Sequence, residues 1–297
     1  MARLSRDKWL YLLLLPGVLY YIIFRFVPMF GIVVAFQNFN AYLGIFNSPW
    51  VGWKNFSDFF KHRDFFNLFR NTLAISFMNI IFYFPAPLLL ALLLNEVRSS
   101  WYKRSVQTLV YIPHFLSWVI VSSIFYMLLT TDGGVINLII EKLGGTKISF
   151  LSSPDWFRTI VIIQTIWKET GWGTIIFLAA LAGVDMEQYE AAIVDGAGRF
   201  RRLWHITMPA IKSTIVILLI LRMGSVLSTG FDQIYLLTNS LNRSVASVFD
   251  VYVYEQGITR GSFSFATAVS LFKSVIGMAM VYGTNYIAKR AGESGIF

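Results

Sequence analysis

Long apolar runs, separated by short polar stretches, dominate the pattern of this 297-residue chain. A helix that crosses a bilayer needs roughly 20 mostly apolar residues, and six runs are close to or above that length. These runs are residues 9–35, 72–94, 109–129, 159–182, 211–227 and 265–287. Turn formers and charges gather between them, and no gap is long enough for a sizeable soluble domain. The pattern predicts an all-α transmembrane protein with six helices, in which residues 1–297 form a single membrane domain.

The composition agrees with a membrane protein and excludes several kinds of site. Hydrophobic residues make up 56% of the chain, above the roughly 45–50% that is usual in soluble domains. The chain has no cysteine, which excludes disulfides and thiolate sites. The three histidines, His62, His114 and His205, lack the spacing of metal ligands. We therefore expect no catalytic residue and no metal site in this chain.

The basic residues give a formal net charge of +9, and their positions predict the orientation of the chain. They lie in small clusters at the ends of apolar runs rather than along one surface, so we expect no nucleic-acid partner. Lys and Arg near the ends of spans favour the cytoplasmic side, which predicts a multi-pass chain in lipid with both termini in the cytoplasm. The residues on that side are Arg3, Arg6, Lys8, Arg98, Lys103, Arg104, Arg199, Arg201, Arg202, Lys212, Lys289 and Arg290.

A partly polar insert, residues 185–209, separates the fourth and fifth predicted spans. Asp185 followed by Gln188 suits the start of a helix, because the first side chain can cap free backbone N–H groups. Gly196 and Gly198 can end this helix and let the chain turn. The insert therefore predicts a cytoplasmic elbow rather than a simple loop.

The second arm of the elbow is predicted to be a short amphipathic helix. Phe200, Leu203 and Trp204 share one face by their spacing, and Pro209 then restarts the chain into the fifth span. Such an arm suits the groove of a partner protein. It suits the inner leaflet of the membrane equally well, so the residues alone leave both interpretations open.

The insert resembles the "EAA" loop of binding-protein-dependent ABC importer permeases, whose pattern reads EAAxxDGAxxxxxFxxIxLP. Two positions depart from it, since Leu203-Trp204 lies where Phe is usual and Met208 replaces Leu. The positions that match are Glu190, Ala191, Ala192, Asp195, Gly196, Ala197, Ile206 and Pro209. Shorter segments, at residues 14–17, 50–56, 70–73 and 111–115, resemble the sugar permeases of this family. Over essentially the whole chain the resemblance is closest to the branch that imports oligosaccharides released from polysaccharides.

The resemblance implies a six-helix permease bundle in the bacterial cytoplasmic membrane, whose elbow docks into a cleft on an ATPase. The implied partners are a second permease that forms a heterodimer with this chain, two cytoplasmic ABC ATPase subunits, an extracytoplasmic solute-binding protein and a carbohydrate substrate. The chain lacks a P-loop motif, so ATP and Mg²⁺ would belong to the ATPase subunits and no cofactor to this chain. The residues to which the resemblance assigns ATPase coupling are Glu190, Ala191, Ala192, Asp195, Gly196, Phe200 and Pro209.

Charged residues inside the predicted spans are candidate contacts for the transported solute, because a charge in hydrocarbon usually faces a cavity or a partner. Arg25 qualifies, but it can also extend its side chain to the membrane surface. Lys168 and Glu169 can neutralise each other, although adjacent residues on a helix point about 100° apart. For Arg222 and Lys273, pairing within the protein and contact with the solute both stay open.

Two tryptophans in the fourth span are further candidates for the solute path. Trp167 and Trp172 flank a polar stretch, and an aromatic ring there can stack on a sugar or simply pack in the membrane. Gly171 and Gly173 are predicted to loosen the helix at this point. The predicted path residues are Trp167, Lys168, Trp172, Arg222 and Lys273.

The excess of basic residues in the spans predicts an acidic cargo, such as an oligosaccharide that contains uronate. Two alternatives stay open. One is a permease for another solute, such as a phosphate ester. The other is a membrane scaffold that binds a cytoplasmic partner without transporting anything.

Overall fold

The computed structural model describes residues 8–293 and 295–296, so Arg3 and Arg6 of the predicted cytoplasmic cluster lie outside the described residues. The described chain is helical and contains no β-strand; one isolated bridge joins Gln37 and Trp50. This agrees with the predicted all-α class.

The helices are numbered in chain order, and two single-turn helices, Gly44–Asn47 and Arg243–Ala246, are left without numbers. The numbered helices are α1 (Trp9–Phe36), α2 (Lys54–Lys61), α3 (Phe65–Glu96), α4 (Ser100–Phe115), α5 (Trp118–Leu129), α6 (Val135–Lys142), α7 (Pro154–Ala182), α8 (Met186–Val194), α9 (Arg199–Gly224), α10 (Phe231–Leu237), α11 (Phe249–Tyr254) and α12 (Phe263–Arg290).

The chain divides into two compact units by its internal contacts. One unit contains residues 8–65 and 252–272, and the other contains residues 66–251 together with the described residues after 272. Each unit has its own core, and each is described separately below. The single membrane domain over residues 1–297 stays a prediction.

Four helices are long and apolar enough to cross a membrane: α1, α3, α9 and α12. They contain most of the first, second, fifth and sixth predicted spans. The bent pair α4 and α5 passes the same test when the two helices are taken together. The total of six crossings is therefore a prediction that length and composition support for four or five helices of the described chain.

The third predicted span, residues 109–129, is not one straight helix. Helices α4 and α5 meet at an angle of 102°. The break follows Pro113, and Ser117 has an extended backbone at the junction. The Ser117 hydroxyl oxygen accepts a hydrogen bond from the Ile120 N–H at 3.3 Å, which caps the new helix. The sequence pattern did not predict this break, because a capping residue such as Ser117 can lie within a run that is apolar overall.

The fourth predicted span lies in α7, which has 29 residues and a length of about 44 Å. This helix is long enough to cross but falls short on apolar character, because its middle carries polar side chains. Gln164, Lys168 and Thr174 are all buried, so these polar groups face protein and not lipid. Helix α7 packs against α3, α4, α5 and α9 and forms the centre of its unit.

Gly171 and Gly173 do not loosen α7, which is a continuous helix. A Cβ atom at Gly171 would lie 1.9 Å from the carbonyl oxygen of Val110 in α4. A Cβ atom at Gly173 would lie 2.9 Å from Cβ of Pro87 in α3. The two glycines therefore allow close helix packing, and the predicted flexibility at this point was wrong.

The fifth span differs from its prediction at Pro209, because the second arm of the elbow continues into it. Helix α9 is unbroken from Arg199 to Gly224 and contains a π-helical turn at Leu203–Thr207. The Met208 N–H donates to the carbonyl oxygen of Leu203, five residues earlier. Pro209 follows in the next turn, so this wider turn accommodates the proline without breaking the helix.

The unit of residues 8–65 and 252–272 is small and rich in aromatic side chains. Its core contains Ala35, Phe56 and Ala268. Phe59 on α2 is fully buried and contacts further aromatic rings, among them Phe65. Only 11% of the most apolar stretch of α1 is buried, which is the surface expected of a helix that faces lipid.

Candidate coupling elbow and solute cavity

The elbow begins with helix α8, whose start and end match the prediction from the sequence. The Asp185 carboxylate accepts a hydrogen bond from the Glu187 N–H at 3.0 Å and caps the helix. Gly196 ends the helix with φ +74°, a conformation that favours glycine. Gly198 then precedes α9 in an extended conformation. The predicted cap and turn are confirmed.

A side-chain hydrogen bond joins the two arms of the elbow. The hydroxyl oxygens of Tyr189 on α8 and Thr207 in α9 lie 2.8 Å apart. Thr207 is buried, although most of its neighbours in the elbow are exposed. This bond limits how α8 can move relative to the start of α9.

The elbow exposes several large apolar side chains. Val194 is 88% exposed and Phe200 is 80% exposed, and Met186, Ile193 and Trp204 are also exposed. Of the residues assigned to coupling by resemblance, only Ala192 is partly covered; the exposed ones are Glu190, Ala191, Asp195, Gly196, Phe200 and Pro209. Apolar groups ringed by charges suit a partner protein or a membrane surface, so ATPase coupling stays a prediction.

Lys168 and Glu169 in α7 form a compact polar cluster with His114. Lys168 Nζ lies 3.4 Å from Glu169 Oε1 and donates to the His114 carbonyl oxygen at 2.6 Å. The Glu169 carboxylate lies 2.8 Å from Nδ1 of the His114 ring. The predicted neutralisation of Lys168 by Glu169 is confirmed. Lys168 is 5% exposed, so its amine is held within the protein.

The two tryptophans of α7 have different surroundings. Trp172 stacks on the His114 ring with a centroid distance of 4.5 Å and an angle of 5° between the planes. Trp167 lies near Phe125 at a centroid distance of 6.1 Å. Trp172 also lines a cavity, described next, whereas Trp167 packs against another aromatic ring.

A cavity of about 290 Å³ lies between α3, α7 and α9, with Arg222 and Trp172 in its wall. The Arg222 guanidinium lies over the Tyr83 ring at 5.3 Å from its centroid. Within the described part of the chain, no carboxylate lies within salt-bridge distance of Arg222. The cavity therefore combines aromatic surfaces with a guanidinium that forms no ion pair within the described part of the chain.

Arg222 also lines a second, much smaller polar cavity. Asn79 and Thr229 share its wall, and in the described chain Oδ1 of Asn79 and Oγ1 of Thr229 are buried without a hydrogen-bond partner. Buried polar atoms are normally satisfied, by water or a ligand if not by protein. These two atoms mark a place that accepts polar groups beside Arg222.

Lys273, in contrast, has a partner within the protein. Its ammonium group bonds to Oδ1 of Asp250, and Oδ2 of the same carboxylate accepts the Thr229 N–H at 2.9 Å. Both charged side chains are largely buried. For Lys273 the structure favours pairing over solute contact. Arg25 is exposed on α1 and lines neither of the two cavities.

Several residues of these sites were missed by sequence reasoning. Asn79 and His114 had a usable signal, because each is a polar residue within an apolar run. Tyr83 and Asp250 gave no such signal, because an aromatic residue is common in spans and Asp250 lies outside the predicted spans.

Known proteins resemble this chain in sequence and in structure. Residues 83–292 match the family described as binding-protein-dependent transport system inner membrane component. Protein LplB of Bacillus subtilis (strain 168) is 62% identical over all of this chain and 93% of its own length. The polygalacturonan/rhamnogalacturonan transport system permease protein YteP of the same organism is 53% identical over all of this chain and 92% of its own length.

A solved structure agrees with the same assignment. The fold matches a chain from the crystal structure of a bacterial alginate ABC transporter in complex with an alginate pentasaccharide-bound periplasmic protein. The TM-score is 0.91 and the identity is 36%, with 99% of each chain covered. These matches confirm the resemblance carried by the elbow motif. The chain belongs to the family of binding-protein-dependent transport system inner membrane components.

Proposed function

We propose that this chain is the membrane-spanning permease subunit of an ATP-driven importer for an acidic oligosaccharide. Together with a second, related permease it would enclose the path of the solute. Two cytoplasmic ATPase subunits would bind ATP and Mg²⁺, and an extracytoplasmic protein would deliver the solute. Both termini would lie in the cytoplasm, as the positions of Lys and Arg predict.

The observation that carries the choice of cargo is the cavity around Arg222. A partly buried guanidinium is costly in a span, and among the described residues no carboxylate lies within salt-bridge distance of Arg222, which favours a role in binding an anion. Guanidinium groups bind carboxylates through two parallel hydrogen bonds. The rings of Tyr83 and Trp172 add surfaces on which the face of a sugar can pack. A uronate residue presents both features.

The relatives support this choice. YteP is described as a permease for polygalacturonan and rhamnogalacturonan, and the structural match belongs to an importer of alginate. Polymers with carboxylate groups are thus the stated cargo in both cases. Lys168 and Lys273 would support the cavity through their ion pairs, while Arg222 and Trp172 would contact the solute.

Coupling to ATP hydrolysis is proposed for the elbow, at Glu190, Ala191, Ala192, Asp195, Gly196, Phe200 and Pro209. The exposed apolar side chains of α8 and of the start of α9 would enter a groove of the ATPase. The hydrogen bond between Tyr189 and Thr207 would transmit its movement to the span. Closure of the two ATPases would then shift the permeases between outward-open and inward-open states.

Uptake of matched oligosaccharides tests the proposed cargo. Cells that carry the complete transporter are offered a uronic and a neutral oligosaccharide of equal length. We expect a preference for the uronic one, and Arg222→Gln should lower its uptake about tenfold, because one charge-assisted contact is lost. Arg25→Gln is the matched control, since Arg25 is also an arginine in a span but lines neither cavity near Arg222. Preference of the unmodified transporter for the neutral oligosaccharide would contradict the proposal.

A further inference from the structure

A second large cavity lies in the unit of residues 8–65 and 252–272, apart from any residue assigned above. Its volume is about 450 Å³, within the range of roughly 300–1,000 Å³ that small-molecule sites occupy. Four parts of the chain supply its wall: the segment after α1, helix α2 with His62, the turn after α11, and the start of α12. The lining residues are Asn38, Phe39, Asn55, Asp58, His62, Tyr252, Gln256, Gly261, Ser262, Phe263, Ser264 and Phe265.

The wall of this cavity is rich in hydrogen-bond acceptors. In the described chain no basic side chain lies within salt-bridge distance of the Asp58 carboxylate. Asn55 donates from Nδ2 to the carbonyl oxygens of Ala35 and Gln37, at 2.8 and 3.0 Å, which leaves its Oδ1 as an acceptor. The wall thus offers a carboxylate and an amide oxygen to groups that donate hydrogen bonds.

The cavity also has hydroxyl groups in its wall. Oγ of Ser264 accepts the Phe39 N–H at 2.8 Å, which leaves the hydroxyl proton free to be donated. The Tyr252 hydroxyl lies 3.3 Å from Nε2 of His62. Burial, helped by the negative charge of Asp64, raises the pKa of Tyr252 to about 12. Tyr252 therefore keeps its proton at neutral pH and remains a donor.

Aromatic packing holds these polar groups in place. The rings of Phe39 and Phe263 meet edge to face at a centroid distance of 6.0 Å. The His62 ring packs against both Tyr252 and Phe265, at 5.7 and 6.0 Å. A rigid wall reduces the entropy that is lost when a ligand binds. Such rigidity is more typical of a preformed binding site than of a random surface depression.

We propose that this cavity binds a sugar ring of the transported carbohydrate through its hydroxyl groups. Neighbouring hydroxyls would donate to the Asp58 carboxylate, and the aromatic edges of Phe39 and Phe263 would contact the apolar face of the ring. The single carboxylate of the wall would repel a uronate carboxylate. The site would therefore recognise the sugar through hydroxyl groups, which acidic and neutral sugars share. This inference rests on the proposed function, because it assumes a carbohydrate cargo.

Saturation-transfer NMR on the full chain in lipid nanodiscs tests the site, since this method detects weak binding. The ligands are the same uronic and neutral oligosaccharides of equal length. Asp58→Asn keeps the shape of an exposed side chain and should weaken the binding of the neutral ligand about tenfold, because a charge-assisted hydrogen bond becomes a neutral one. The uronic ligand should lose less affinity, because the repulsion between Asp58 and its carboxylate is removed as well. Asp155→Asn is the matched control, because Asp155 is an exposed carboxylate outside the cavity.

Loss of affinity for the neutral sugar in Asp58→Asn, with no change in Asp155→Asn, supports the site. Unchanged affinity for the neutral sugar in Asp58→Asn overturns it, and so does the absence of any saturation transfer from the unmodified chain. Binding that survives Asp58→Asn but is lost in Arg222→Gln would assign all of it to the Arg222 cavity and would overturn the site as well. These outcomes leave the proposed function standing, because the uptake of the uronic and the neutral oligosaccharide by cells tests that function separately.

Discussion

At Gly171 the backbones of α7 and α4 are so close that no side chain fits between them. A Cβ atom there would lie 1.9 Å from the Val110 carbonyl oxygen, which is part of a helix and cannot turn away. Gly171→Ala should therefore lower the free energy of unfolding by about 2 kcal/mol or more. Thermal unfolding of the purified chain in detergent measures this change.

The control for this prediction is Gly17→Ala in α1. Gly17 is also inside a helix, but nothing lies within 4 Å of an added Cβ atom. Since alanine favours a helix more than glycine does, this change should leave the unfolding temperature equal or slightly higher. Equal stability of the two variants would contradict the close packing at Gly171.

The ion pair of Asp250 and Lys273 gives a second prediction for single residues. Removal of one partner leaves the other charge buried and unpaired, so Lys273→Met should destabilise the chain by about 3 kcal/mol. The double change Asp250→Asn and Lys273→Met should recover most of that loss, because Asn can still accept the Thr229 N–H. A double-mutant cycle from unfolding temperatures measures the coupling. No recovery in the double variant would count against a structural role for the pair.

The sequence could single out costly charges but could not pair them. Arg222 and Lys273 looked alike, since each is a basic residue in an apolar run. Only the fold shows that Asp250 pairs with Lys273 and that, among the described residues, no carboxylate lies within salt-bridge distance of Arg222. Contacts between residues far apart in sequence depend on how the helices pack. The sequence alone therefore did not predict which charged residues would lie next to each other.

At the scale of helices, the elbow depends on the left-handed conformation of Gly196. A side chain at φ +74° is strained by roughly 1 kcal/mol, so Gly196→Ala should disturb the end of α8. In the complete transporter we expect reduced uptake per ATP hydrolysed, with normal amounts of chain in the membrane. Parallel assays of uptake and phosphate release measure this ratio.

Gly198→Ala is the matched control, because Gly198 has a negative φ and open space around its Cβ position. It lies two residues further along the same turn and should leave the ratio unchanged. If Gly196→Ala also transported normally, with the same uptake per ATP, the elbow would lose its assigned role in coupling.

Apolar runs predicted the helices correctly where a helix exposes much of an apolar surface. Helices α1, α3, α9 and α12 are apolar because they expose much of their surface, so their runs were visible. Helix α7 buries polar groups such as Gln164 among other helices, and its average hydropathy therefore falls. The break between α4 and α5 and the π-helical turn before Pro209 depend on local hydrogen bonds that hydrophobicity does not encode.

For the whole molecule, the proposed import requires partner subunits in addition to this chain. A tagged chain extracted in mild detergent should copurify with a P-loop ATPase and with a second permease that carries its own elbow motif. The exposed apolar side chains of the elbow give the physical reason, because such a surface is normally covered. Recovery of the chain alone, under conditions that preserve other membrane complexes, would favour the scaffold alternative.

Solute-stimulated ATP hydrolysis by the reconstituted complex tests the central claim most directly. The complex is placed in lipid vesicles with its solute-binding protein, and phosphate release is followed with the uronic oligosaccharide, the neutral one or neither. We expect stimulation by the uronic oligosaccharide that exceeds the stimulation by the neutral one and is reduced by Arg222→Gln. Hydrolysis that is the same with either sugar or with none would contradict the assignment of this chain to the import of an acidic oligosaccharide.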